Sequence, residues 1–172
     1  IVVVIIGILA ATAIPAFLRF VRRPKTAEAG INLKVLVEGA SAYYARDFVP
    51  QGWTSSLSSA TACFVGNADT GRAPNDEKYI WQETGTNPEG LTGTAPGTHG
   101  LGWGPADLMY YQYLITNSRT GCAQGAPGAA VSMVAQGNLD DDSVTSRFEF
   151  AMGVIPSSGL SHGPVFVSNE LE

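Results

Sequence analysis

The chain opens on IVVVIIGILAATAIPAFL, Ile1 to Leu18, an unbroken run of apolar and small residues with no charge. As an α-helix the run reaches about 27 Å at 1.5 Å per residue. That is close to the hydrocarbon core of a bilayer, about 30 Å, so it reads first as a membrane span. Arg19, Arg22, Arg23 and Lys25 follow it as a basic collar. Two features are unusual for a plain anchor. Gly7 and Pro15 lie inside the run, and a proline has no amide hydrogen and crowds the carbonyl four residues before it. The collar also follows the span, which by the positive-inside rule leaves the rest of the chain cytoplasmic unless stronger positive charge lies upstream.

The order Val3-Val4-Ile5-Ile6-Gly7-Ile8-Leu9-Ala10-Ala11-Thr12-Ala13-Ile14-Pro15 resembles the N-terminal helix of type IV pilins and pseudopilins, whose pattern runs V-x-I-I-G-I-L-A-A-x-A-I-P. An ordinary signal anchor is the alternative, but it has no reason to hold this order. The resemblance covers only about the first fifteen residues. It implies that about seven mature residues, beginning with an N-methylated Phe, and a short basic leader precede Ile1. Such a leader supplies the positive charge that the topology needs. It also implies that Ile1, Val4, Ile5, Gly7, Ile8, Leu9, Ile14, Pro15, Phe17 and Leu18 pack against other copies during assembly. The helix between Gly7 and Pro15 can then lose hydrogen bonding, since both residues are poor helix formers.

Beyond the run, about 150 residues remain, enough for one compact domain with its own core. Of the 172 residues, 45% are hydrophobic and only 15% charged, a low charge content for a soluble protein. The net charge of −5 exerts no general pull on nucleic acid, and no specific nucleic-acid partner is expected. Four of the ten basic residues lie in the collar, and the remainder of the chain is acidic. A basic collar below an acidic head can meet acidic surfaces of neighbouring copies, or lipid headgroups before assembly.

From Ala27 onward, Ala29, Leu33, Leu36, Val37, Ala40 and Tyr44 recur at three- and four-residue steps, while Glu28, Asn32, Lys34, Glu38 and Arg46 fall largely off that stripe. This predicts an amphipathic helix over 26–47 whose apolar stripe covers a sheet. Pro24 predicts a kink rather than an end, since the periodicity continues past it. Residues 48–105 show no sustained period and are rich in Ser, Thr, Gly, Pro and Asn. A loop this long suggests function or a mobile surface. Trp53, Trp81, Trp103 and Cys63 are expected to pin it, with a short helix or strand near Tyr79 to Gln82.

Residues 106–172 carry the strands. Met109–Ile115 is aromatic and β-branched, Val131–Ala135 follows a Gly-rich turn, and Pro164–Ser168 is a weak last strand. Arg147–Met152 alternates, with Phe148, Phe150 and Met152 on one face and Arg147 and Glu149 on the other. Short connections favour an antiparallel meander. The predicted fold is therefore α+β, a long N-terminal helix packed on an antiparallel sheet of about four strands. Residues 1–25 form the projecting helix with its collar, and 26–172 the head. That order of elements matches the pilin fold.

Cys63 and Cys122 are the two cysteines. An even pair in an exported chain favours one disulfide, worth about 4 kcal/mol in the chain-entropy picture. Two free buried thiols are the alternative. Asn138-Leu139-Asp140-Asp141-Asp142-Ser143, with Glu149 beyond, places oxygen side chains at positions 1, 3, 5 and 12 of a calcium-loop pattern. Ser143 stands where that pattern needs Gly, and Glu149 falls in a strand. The expected calcium version is a hairpin loop using Asn138, Asp140 and Asp142 with backbone carbonyls; a solvated acidic turn without metal is the alternative. No catalytic constellation is present. His99 and His162 are isolated, no C-x-x-C occurs, and Gly100-Leu101-Gly102-Trp103-Gly104-Pro105 lacks the strand and helix of a dinucleotide fingerprint.

The expected function is structural, not enzymatic: the major subunit of an extracellular type IV pilus on a bacterial surface. Its expected partners are identical subunits in a helical filament, the pilus assembly machinery, and the inner membrane before assembly. No cofactor beyond calcium is expected. A pseudopilin of a type II secretion system is the nearest rival, and a membrane-anchored periplasmic binding domain a more distant one.

Overall fold

A computed structural model of the chain describes residues 1–45, 64–70, 73–80, 101, 103, 107–118, 130–155 and 157–170. One helix, α1 (Val2–Tyr44), precedes six strands: β1 (Ala68–Asp69), β2 (Gln112–Asn117), β3 (Ala130–Gly137), β4 (Ser146–Ile155), β5 (Gly159–His162) and β6 (Phe166–Ser168). The class is α+β, and the sheet is open and antiparallel, in the order β1-β2-β3-β4-β5 with β6 also on β4.

The helix contains both Pro15 and Pro24 and continues past each. Its 43 residues span about 64 Å. Only its second part meets the sheet, burying Thr26, Ala29, Leu33, Leu36, Val37, Ala40 and Tyr43. The stripe ends on Tyr43 rather than Tyr44, which lies half-buried with its ring 5.0 Å from Phe64. Tyr43 follows Leu36 and Ala40 at steps of four and three, so it stays on the buried ridge.

Register sets the inner face of the sheet. Tyr113 pairs with Ala135 and Ala135 with Phe148, while Ile115 pairs with Met133 and Val131 with Met152. These residues join the helical stripe in one core. A one-residue slip would turn the whole set outward. Two glycines permit close approach. A Cβ on Gly137 would overlap the Tyr111 ring, and one on Gly39 would lie 2.7 Å from the Leu101 carbonyl oxygen. Trp103 packs edge-on to Tyr113 at 5.2 Å and is buried, as expected of a residue pinning the long loop. Tyr79 makes an isolated bridge to Met109, with amide-to-carbonyl bonds of 2.9 and 2.8 Å.

The strand boundaries differ from expectation in instructive ways. The strand expected over Met109–Ile115 runs as β2 from Gln112, because Met109 bridges to Tyr79 instead. Among the described residues the sheet has six strands rather than about four: the short edge β1 and the strand β5, which precedes the last expected strand, were not anticipated. Met152 pairs with His162, and Glu149 with Phe166. Residues 163–165 therefore oppose only 150–151, which is a β-bulge between β5 and β6. Pro164 sits in that bulge, where a missing amide hydrogen costs no ladder bond. The strand expected from Pro164 consequently begins at Phe166. Trp53, Trp81, Cys63 and Cys122, and so the disulfide reading, lie outside the described residues.

Candidate assembly surface

Among the described residues, the first half of α1 has no partner. Ile1, Val4, Ile5, Ile8, Leu9, Ile14, Phe17 and Leu18 are all exposed, from 49% at Leu18 to 100% at Ile1. Gly7 has open space where a side chain would project. The segment is apolar around its whole circumference, so no single flat surface can cover it. By length and composition α1 is long and apolar enough to cross a membrane. Pro15 offers no amide hydrogen to the Ala11 carbonyl, and Thr12 Oγ1 turns back on the Leu9 carbonyl at 3.0 Å. The same pairing recurs at Pro24, where Thr26 Oγ1 turns back on the Arg23 carbonyl at 2.9 Å, and the helix continues past both prolines.

The collar divides into two pairs. Arg22 Nη1 meets Asp140 Oδ2 at 3.0 Å, with both side chains about three-quarters buried. Lys25 Nζ lies 4.5 Å from the centre of the Tyr110 ring. Both of these cations therefore fasten the helix to its own head. Arg19 and Arg23 are exposed and make no ion pair among the described residues. They are one turn apart and share a face.

The acidic turn is closed by its own bonds. Asn138 Nδ2 donates to the Asp142 carbonyl at 2.8 Å, and the Asp142 amide donates to Asn138 Oδ1 at 3.2 Å. Asp142 Oδ1 accepts from the Val144 amide, and Asp141 adopts a φ of 56°. An aspartate tolerates that left-handed conformation better than most residues. Asp140 faces Arg22, although its Oδ1 is buried without a hydrogen-bond partner. Glu149 lies on β4, engaged with Arg147 at 2.8 Å. The structure thus gathers Asn138 and Asp142, directs Asp140 to the helix, and leaves Glu149 outside the turn. Among the described residues, no three His, Cys, Asp or Glu side chains are grouped to hold a metal ion.

Two helix residues placed on the solvent side by periodicity instead bind the sheet. Glu28 Oε1 accepts the Tyr110 amide at 3.0 Å, and Asn32 Nδ2 donates to Tyr113 Oη at 2.9 Å. Burial pushes the Glu28 carboxyl above its usual range, against the opposing pull of the Tyr110 and Tyr111 amides and of Lys78. Burial likewise raises the phenols of Tyr111 and Tyr113. Tyr79 Oη donates to the Tyr111 carbonyl at 2.8 Å, and Ser146 Oγ to Tyr111 Oη at 3.3 Å. These groups satisfy buried polar atoms where the helix meets the sheet. Their sequence signal was slight: Glu28 and Asn32 flank Ala29 and Leu33 on the helix surface.

The sheet is wider than the helix. Beside α1, toward β5 and β6, an apolar groove of about 580 Å³ remains, with Gly30, Lys34 and Glu38 on one wall and Phe150, His162 and Val165 on the other. Periodicity alone cannot reveal this groove, because it depends on how far β5 and β6 extend the sheet. No known family, curated protein or solved structure matches the chain.

Proposed function

We propose that the chain is a filament subunit of the type IV pilin kind, a structural protein that polymerises through the first half of α1. The observation that carries this reading is one continuous helix serving two environments. Its second half packs into the core of an α+β head, while its first half is apolar on every side and has no partner among the described residues. Lipid satisfies such a segment before assembly, and the helices of other copies satisfy it afterwards. In lipid, helices associate through close packing, which small residues promote. Gly7, Ala10, Ala11, Thr12, Ala13 and Ala16 supply small positions along the segment. Identical contacts that do not close into a ring generate a helical filament, here an extracellular pilus. The order of residues through Val3–Pro15 supports the same reading.

Mass spectrometry of the mature chain, with electron microscopy of the material shed by the cells, tests it. An N-methylated Phe upstream of Ile1 together with long filaments containing this chain is the expected result. An unprocessed start, or a processed chain that remains a monomer in the membrane, would overturn it.

A further inference from the structure

We infer that the groove between α1 and the β5–β6 edge receives the projecting half of α1 from a second copy of this chain, steered by Arg19 and Arg23 of that copy toward Glu38. This rests on the filament reading and adds the receiving surface on the head. The groove is predominantly apolar, and Gly30 in its wall leaves open space where a side chain would stand. The chain itself supplies a matching occupant, an apolar helix with no partner among the described residues. A groove of about 580 Å³ admits one ridge of side chains from such a helix, not its whole cylinder.

Charge selects which ridge. Arg19 and Arg23 stand on one helical face, and the same face continues through Ala16, Thr12, Leu9 and Ile5 at steps of three and four. On the receiving side, Glu38 is 66% exposed, and its contact with Lys34 is long at 3.8 Å. An exposed pair of that length holds Glu38 only weakly. Copies repeated along a filament point the same way. Setting Arg19 of one copy against Glu38 of the next therefore displaces the two helices by about 28 Å along their length. Thr12 and Ala16 then come to about the level of Gly30 and Lys34, small residues against an open wall, which allows close approach. Arg22 and Lys25 do not compete, because each is held by its own head.

The test is photo-crosslinking in cells that make the full chain, with a photoreactive amino acid in place of Lys34, whose side chain is 79% exposed. The expected product is a chain–chain dimer whose linked peptide lies within Leu9 to Arg19 of the second copy. In the same assay Glu38→Arg lowers the dimer yield about fivefold, and adding Arg19→Glu restores it. Gly30→Phe, which meets no atom of its own head at Cβ, abolishes the crosslink while leaving the unfolding midpoint of the head in place. A crosslink to lipid, to another protein or to the head of a second copy would overturn the proposal, as would filaments without any dimer. If no filaments form at all, the filament reading itself fails, so the two failures are distinguishable.

Discussion

The two halves of α1 are both helical and both carry leucines, yet Leu33 and Leu36 are 2% and 0% exposed while Leu9 and Leu18 remain 62% and 49% exposed. Composition accounts for both halves leaving water; pattern accounts for where each goes. In the second half the apolar residues form a stripe one sheet wide, with Lys34 and Glu38 outside it. A stripe of that kind is satisfied within the chain. In the first half every face is apolar, and only an environment that surrounds the helix can satisfy it.

The largest expected effect breaks the symmetry between leucines. Leu36→Ala deletes a fully buried side chain between helix and sheet and should destabilise the head by about 2–5 kcal/mol. Leu9→Ala makes the same chemical change at a side chain that is 62% exposed, and head stability should move by less than about 0.5 kcal/mol. Denaturant unfolding of the full chain in detergent, followed by tyrosine and tryptophan signals of the head, compares the two. A large loss of head stability with Leu9→Ala would mean that the first half contributes to the core after all.

Glycines provide a second comparison. At Gly39 an added methyl group meets the Leu101 carbonyl oxygen at 2.7 Å, and Gly39→Ala should cost about 1–3 kcal/mol through forced displacement of that backbone. Gly7 has nothing within 4 Å, so Gly7→Ala should leave the head's unfolding midpoint unchanged. It should also strengthen the local helix by about 0.5–1 kcal/mol. If the segment between Gly7 and Pro15 yields during assembly, that gain opposes assembly, and filament yield should fall while head stability does not. Equal filament yield from both chains would remove the role assigned to Gly7.

This comparison also explains what could be read from the residues. The helix, its buried stripe and the alternation of Phe148, Phe150 and Met152 follow from local period, because each is a repeat along a single element. Asp140 was legible as an acidic turn residue but not as the partner of Arg22, since that contact joins positions far apart in the chain. Glu28 and Asn32 look like solvent-facing residues until the sheet brings unpaired polar groups of Tyr110 and Tyr113 beside them. The bulge between β5 and β6 is signalled locally by Gly163 and Pro164, whereas the groove it borders appears only once the sheet's width is known.

The collar supplies a smaller effect. Arg22→Ala removes the cation facing Asp140, whose Oδ1 is already unpartnered, and should cost about 1 kcal/mol of head stability. Arg19→Ala, one turn earlier and exposed, should cost nothing measurable in the same denaturant experiment. Equal effects would show that the two cations do not divide between head and neighbour.

The smallest effect concerns Glu28, at the boundary between the two halves' environments. Its carboxyl is raised chiefly by burial, so the folded head binds that proton more tightly than the unfolded chain does. Stability from this group is therefore present below the ordinary glutamate range and is lost as pH rises through the raised value of the folded state. Glu28→Gln keeps an oxygen for the Tyr110 amide and cannot ionise. The stability difference between Glu28→Gln and the parent chain should shift in favour of the variant between about pH 4 and about pH 7. Urea midpoints at several pH values measure that difference, in which the titrations of the other carboxylates cancel. A difference that shifts toward the parent with rising pH would mean that the amides of Tyr110 and Tyr111, and not burial, dominate at Glu28.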